Sequence, residues 1–232
     1  METIIENFNQ RYAEVEKYYK VLLTLDDERV SIIRNGDVRK RKIKLDSDAL
    51  KVMKSTCFLL LYNLIESSIR ESFTYLYEKI NSEENSIENY TDEFKKLWLN
   101  QHFKNIDPVS SNQATYRTVI NSIVEKILNS EDFNMDSELL PISGNIDAQK
   151  IRELYKKHNI KLNIHHRAFG GGELRTVKDK RNALAHGNIT FSECGREYTV
   201  DDLVNIKKRT VIYLRSSLRY MKIFTESRKY AV

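Results

Sequence analysis

Apolar residues recur every three or four positions along most of this chain, and this spacing predicts a series of amphipathic helices. The first helix is expected from about residue 2 to 25, with Glu and Lys at its polar positions. Its apolar face contains Ile5, Phe8, Tyr12, Val15, Tyr19 and Leu22. The last helix is expected to begin at Thr199, because Asp202 stands three residues later, as in a capping box. Its apolar stripe contains Leu203, Ile206, Val211, Leu214, Leu218, Met221 and Phe224.

A second long helix is predicted after Asp46 or Ser47, either of which is a suitable N-cap, and it should extend to about Lys79. Residues 58–65 of this helix are apolar on nearly every side, which is typical of a helix that packs against several neighbours. Glu66 and Arg70 follow at i, i+4 spacing, which suits an ion pair along the helix.

Shorter periodic segments lie between these helices. Helices are expected over residues 94–98, 116–127, 147–158 and 173–186, the last ended by Gly187. Breaks are expected at Asn35-Gly36, at Asp107-Pro108, and over residues 129–145 and 159–172. The pattern therefore predicts an all-α fold, a helical bundle with long N-terminal helices.

Composition agrees with an all-α fold and excludes several other classes. The 232 residues include 2 Pro and 7 Gly, too few for the many turns of an all-β fold. This length suits one globular domain covering residues 1–232. Two cysteines, Cys57 and Cys194, cannot form a disulfide framework or a four-thiolate zinc site. The most apolar run is too short for a membrane helix and the first residues lack signal-peptide features, so we expect a cytoplasmic protein without a membrane partner.

Charge is divided unevenly along the chain. Residues 1–149 carry 19 Lys and Arg against 25 Asp and Glu, whereas residues 150–232 carry 19 against 8. The net charges are therefore −6 and +11. Such asymmetry suggests a polyanionic partner for the C-terminal part, although a solvated helical face explains the charge alone equally well.

Several local features have both a chemical and a structural interpretation. The triple glycine Gly170-Gly171-Gly172 precedes a predicted helix and could hold a phosphate, or it could be a flexible turn. His158, His165 and His166 cluster without a cysteine or carboxylate at ligand spacing, so no metal is expected. The basic run at residues 39–44 could contact nucleic acid or be solvated surface. No dinucleotide fingerprint, Walker loop or other cofactor motif is present, and no cofactor is expected.

The sharpest chemical feature is the pair Arg181 and His186 around a short apolar segment. Five residues of helix turn about 500°, so these two side chains diverge by about 140°. They could converge on one groove across a two-fold axis, to which each copy contributes both residues. On spacing alone, a surface arginine and a capping histidine is the favoured interpretation.

The pair resembles the R-x4–6-H signature of HEPN ribonucleases, with Asn182 directly after the arginine. The surrounding segments resemble the MAE-type branch of HEPN-like nucleases. These segments are residues 143–154, residues 177–187, Gly195-Arg196, Tyr198, Asp202-Leu203, and the long helix with Asn63, Glu66 and Arg70. Residues 82–140 match no such pattern and are expected to be a helical insertion or elaboration.

The resemblance implies a homodimeric, metal-independent endoribonuclease, often a toxin of a toxin–antitoxin or phage-defence system with a cognate antitoxin protein. Arg181 and His186 would be catalytic, and Asn182, Glu66 and Arg70 would support them. Arg175, Lys178 and Lys180 would bind RNA. Two alternatives stay open: a non-catalytic helical interaction or regulatory module, and a helical DNA-binding protein.

Overall fold

Eight α-helices form the framework of the part of the chain described by the computed structural model. The described residues are 1–27, 30, 32–33, 42–43, 46–104, 106, 112–142 and 144–232. The helices are α1 (Glu2–Asp26), α2 (Ser47–Asn81), α3 (Asp92–Phe103), α4 (Gln113–Leu128), α5 (Ala148–Lys157), α6 (Gly172–Ala185), α7 (Phe191–Arg196) and α8 (Val200–Glu226). Three 3-10 segments occupy Ile87–Asn89, Ser137–Leu139 and His166–Gly171. The all-α prediction is confirmed.

Within the described residues, β-structure is confined to two very short strands and two isolated bridges, Ser86–Asp132 and Tyr90–Ala231. β1 (Ile32–Ile33) pairs antiparallel with β2 (Lys42–Ile43), with Ile32 opposite Ile43. Most of the predicted basic run, the Asn35-Gly36 turn and the Asp107-Pro108 break lie outside the described residues.

The second helix is the centre of the bundle. α2 packs against α1, α6, α7 and α8, and 14 of its 35 residues are buried, while Asn63 and Arg70 are exposed on the remaining side. This confirms the prediction from the apolar run at residues 58–65. The Asp46 side chain accepts from the backbone N–H of Asp48, which makes Asp46 the N-cap. α2 therefore provides the surface on which these four helices pack.

The core is rich in aromatic rings and extends into the region between α2 and α5. Tyr90, Phe94 and Phe133 are buried there, and the Phe94 and Phe224 ring centroids lie 6.1 Å apart. This contact joins α3 to α8, so part of residues 82–140 contributes to the same hydrophobic cluster as the long helices.

The fourth and seventh helices differ from the sequence expectations. α4 is a helix as predicted, but Ile123 is its one buried residue, while Ile120, Val124 and Ile127 are exposed. The helical period was correct, but α4 packs mainly on α3 and leaves most of its apolar stripe uncovered. α7 was not predicted, because six residues are too short to show a helical period.

Both predicted ends of the C-terminal helices are confirmed. Thr199 and Asp202 form a reciprocal capping box at the start of α8. Gly187 has φ +70, the left-handed conformation of a residue that follows a helix end. Among the residues that the structure describes, no helical stretch combines the length and apolar character that a bilayer crossing needs.

Candidate functional site

The Arg181 and His186 pair lies at the C-terminal end of α6. Buried Leu174, Val177 and Leu184 seat one side of this helix on the bundle. His186 is the C-cap, and its backbone N–H donates to the Asn182 carbonyl at 3.0 Å. The helical turn therefore directs Arg181 toward α2, while His186 lies on the solvent side of the helix end.

The Arg181 guanidinium is held by contacts on several sides. Nη1 donates to the Gly144 carbonyl at 3.1 Å and to the Asn182 Oδ1 at 2.8 Å. The guanidinium carbon lies 4.1 Å from the Tyr62 ring centroid, which is a cation–π geometry. Nη2 lies 3.9 Å from Glu66 Oε2. With 28% of its side chain exposed, Arg181 is fixed in place and still reachable from solvent.

The predicted Glu66–Arg70 ion pair is present and braces the same region. Arg70 Nη2 lies 3.1 Å from Glu66 Oε1 and also donates to the Ile142 carbonyl. Tyr62 Oη accepts from the Ile146 backbone N–H at 3.1 Å, and burial raises the pKa of this phenol. The loop between Ile142 and Ile146 is thereby tied to α2 at both ends. This loop supplies the Gly144 carbonyl that holds Arg181.

Asn182 connects the arginine to that loop through its amide. Its Oδ1 accepts from Arg181, and its Nδ2 donates to Asn145 Oδ1 at 2.7 Å. Four of the predicted residues, Arg181, Asn182, Glu66 and Arg70, are therefore brought together in one network.

A cavity of about 460 Å³ opens in front of this network. Three arginines line it, and Arg11 was not among the predicted site residues. Arg11 Nη2 lies 2.6 Å from Glu71 Oε1, so Glu71 neutralises it. Neither Arg11 nor Glu71 belongs to a sequence motif. Arg11 reaches the cavity because α1 packs along α2, and sequence spacing gave no signal of this. Arg70 and Arg181 share the one carboxylate of Glu66, which leaves the cavity with an excess of positive charge.

His186 is exposed, and its imidazole makes no hydrogen bond or ion pair within the described part of the chain. Its ring nitrogens are therefore accessible from solvent. Because the side chain diverges from Arg181 by about 140° around the helix axis, the two do not meet within one copy.

The three predicted RNA-binding cations do not lie together. Arg175 is exposed on the same side of α6 as His186, whereas Lys178 lies at the edge of this side, with 19% of its side chain exposed. Lys180 points the other way, where it pairs with Glu197 and lies 5.6 Å from the Tyr198 ring centroid.

Lys178 is itself paired with an aspartate. Its Nζ lies 2.7 Å from Asp147 Oδ2, and this hydrogen bond raises the pKa of the ammonium. Burial alone would raise the pKa of Asp147, but the hydrogen bonds from Lys178 and from the Lys150 backbone N–H, together with the charge of Lys178, outweigh burial and lower that pKa. Lys178 is thus a firmly protonated group, partly used in joining α5 to α6.

The predicted histidine cluster is divided by the fold. His158 is buried, with Nδ1 2.8 Å from the Leu154 carbonyl and Nε2 2.8 Å from Tyr77 Oη. His165 and His166 are exposed, and their ring centroids lie 4.4 Å apart. Across the described ranges, no group of three His, Cys, Asp or Glu side chains could hold a metal ion.

Comparison with known proteins gave one family. The model of the MAE_28990-like HEPN family matches residues 1–230. Neither a search of curated proteins nor a search of solved structures gave a match.

Proposed function

We propose that this chain, which belongs to the MAE_28990-like HEPN family, is a metal-independent endoribonuclease that uses Arg181 and His186. HEPN families are generally related to nucleases that act on RNA. The observation that carries the proposal is the contrast between the two motif residues. Arg181 is held by its neighbours at the edge of an open, positively charged cavity, while the His186 imidazole is exposed and uncommitted.

These two groups suit RNA cleavage through the ribose. The 2′-oxygen attacks the adjacent phosphorus, its proton passes to a base, and the bond to the 5′-oxygen breaks as that oxygen receives a proton. Histidine is suited to both proton transfers near neutral pH. The planar guanidinium of Arg181 matches two phosphate oxygens and stabilises the charge that develops on them. The products are a 2′,3′-cyclic phosphate and a 5′-hydroxyl.

The divergence of the two side chains favours a site shared by two copies. A two-fold axis beside the solvent face of α6 would place His186 of each copy near the Arg181 cavity of the other. Asn182, Glu66 and Arg70 act as positioning residues, since they contact Arg181 or the loop that holds it.

Cleavage of RNA in EDTA by purified variants tests the assignment. Arg181→Ala and His186→Ala should each abolish cleavage, and Arg117→Ala, which removes an exposed arginine from α4, should not. Sequencing of the RNA ends should show the cyclic phosphate. Wild-type-like cleavage by either motif variant would contradict the assignment, and loss of wild-type cleavage in EDTA would contradict the metal-independent part.

We also propose a cellular role as a toxin of a toxin–antitoxin or phage-defence system, restrained by a cognate antitoxin protein. An RNase that is produced without its antitoxin would degrade cellular RNA and stop growth. Induced expression should therefore arrest cells, and the His186→Ala protein at equal abundance should not. If both proteins arrest growth equally, or neither cleaves any RNA, a non-catalytic interaction module becomes the better explanation.

A further inference from the structure

A second cavity lies at the opposite end of α6 from His186. It has a volume of about 480 Å³ and opens to solvent between the start of α5 and the triple-glycine loop. The charged residues that line it are Arg152, Arg175, Lys178 and Asp147. The lining thus carries three cations against one carboxylate, and that carboxylate is neutralised by Lys178.

Two of these cations remain open to a ligand. Arg152 is exposed and donates to the Gly170 carbonyl at 2.9 Å, with no carboxylate partner within the described ranges. Arg175 has 79% of its side chain exposed, and its ion pair with Asp179 is long, at 3.6 Å. Exposed guanidinium groups of this kind are common phosphate contacts in RNA-binding proteins.

Phe169 stands at the rim of the same cavity and is 68% exposed. Its backbone lies in the left-handed region, with φ 47 and ψ 44, which turns the ring outward while Ala168 and Gly171 beside it are buried. The Arg209 guanidinium carbon lies 4.2 Å from the ring centroid, and Glu173 holds Arg209 in turn. Arg209 therefore holds the Phe169 ring in position, while most of the ring stays exposed to solvent.

An exposed aromatic ring beside phosphate-binding cations is the arrangement that proteins use for unpaired nucleotides. A base stacks on the ring, and the flanking phosphates contact the cations. A duplex hides the faces of its bases, so the ring favours a single strand. The solvent face of α6 continues from Arg175 to Asn182 and His186, and the helix spans about 20 Å. One RNA strand could therefore contact both ends of α6.

We propose that this cavity is a stacking subsite for an unpaired nucleotide of the RNA substrate, with Phe169 as the platform and Arg152 and Arg175 as phosphate contacts. The subsite rests on the proposed function, since it takes the same strand that His186 reaches. It gives the triple-glycine loop a role: the loop carries Phe169 to the rim of the cavity. The enzyme would then prefer RNA with unpaired nucleotides several positions away from the cleaved bond.

Binding of an uncleavable RNA tests the subsite without requiring catalysis. The probe is a fluorescent, fully 2′-O-methylated homopyrimidine of about ten nucleotides, within the usual range of single-strand sites. Phe169→Ala should weaken its binding about tenfold, and Phe169→Trp should restore it. Arg152→Ala should weaken binding and reduce its salt dependence. Leu128→Ala, which removes another exposed apolar side chain, is the matched control and should bind normally.

Cleavage assays separate this proposal from the proposed function. With a long single-stranded RNA, Phe169→Ala should lower kcat/KM about tenfold, while cleavage of a dinucleotide, too short to reach Phe169, stays unchanged. If Phe169→Ala binds the probe like wild type, the subsite is wrong even when RNA is cleaved. If the probe binds through Phe169 but no RNA is cleaved, the subsite stands and the nuclease assignment falls.

Discussion

At the scale of single residues, Arg181 and His186 occupy opposite kinds of environment. Arg181 is surrounded by the Gly144 carbonyl, the Tyr62 ring, Asn182 and Glu66, so little side-chain freedom is left to lose when a phosphate binds. His186 has no such partner among the described residues, and its placement depends on the helix end and on the substrate.

Replacement of Arg181 by lysine should separate charge from geometry. Lysine keeps the positive charge but has no planar fork and cannot reproduce the contacts to Gly144 and Asn182. We expect kcat to fall about 100-fold or more, with a smaller change in KM. Steady-state RNA cleavage measures this change, and an unaltered thermal midpoint shows that the fold is retained. Cleavage at the wild-type rate would mean that a point charge is sufficient.

His158, in contrast to the exposed His186, is buried in the core. Burial lowers the pKa of its imidazole from 6.5 to about 4. The unfolded chain therefore binds this proton more readily than the folded protein does. As a result, the free energy of unfolding is highest above pH 6.5 and decreases as the pH falls toward 4. Full loss corresponds to about 3 kcal/mol.

Urea unfolding at several pH values should reveal this linkage. The wild-type free energy of unfolding should decrease between pH 6.5 and pH 4. His158→Gln, which cannot titrate, should be less stable at pH 7.5 but should lose less stability over this interval. The two curves should converge as the pH falls, and parallel curves would contradict the burial argument.

At the scale of elements, the short helix α7 connects the motif helix to the last helix. Thr190 and Glu193 form a capping box that starts it, and Gly195 lies against α2. A Cβ added at Gly195 would stand 2.0 Å from the Lys51 carbonyl oxygen, so the two helices approach too closely for any side chain. This contact fixes the distance between α7 and α2, and with it the start of α8.

Substitution of Gly195 by alanine should force these helices apart. We expect a loss of about 3 kcal/mol in unfolding free energy, at the upper end of overpacking effects. Gly172→Ala is the matched control, because its Cβ would meet nothing within 4 Å and lies in the first turn of α6. Denaturant unfolding measures both variants, and equal midpoints would show that α7 can shift at little cost.

At the scale of the whole molecule, the proposed two-fold arrangement predicts a result that single variants cannot show. A mixed dimer of Arg181→Ala and His186→Ala copies would still contain one intact arginine and one intact histidine. Random exchange yields roughly half mixed dimers, so two inactive proteins should regain partial cleavage when mixed. RNA cleavage after subunit exchange measures this recovery. A mixture as inactive as its components would place both groups in one copy.

The sequence by itself determined the helices and the motif. Periodicity located α1, α2 and α8, and Asp46, Thr199 and Gly187 marked helix ends through local chemistry alone. It also showed that Arg181 and His186 diverge, because that follows from the helical turn. The sequence did not predict α7, because six residues are fewer than two helical turns and show no clear periodicity.

Tertiary packing decided which polar groups meet. Lys178 and Lys180 look alike in the sequence, yet Lys178 pairs with Asp147 at the start of α5 and Lys180 pairs with Glu197 after α7. His158 and His165 seem to form one cluster, yet the first is buried against Tyr77. Gly144 and Tyr62 hold Arg181 although they are distant from it in the chain. Such contacts depend on how the helices are oriented around α2, and local spacing carries no information about that orientation.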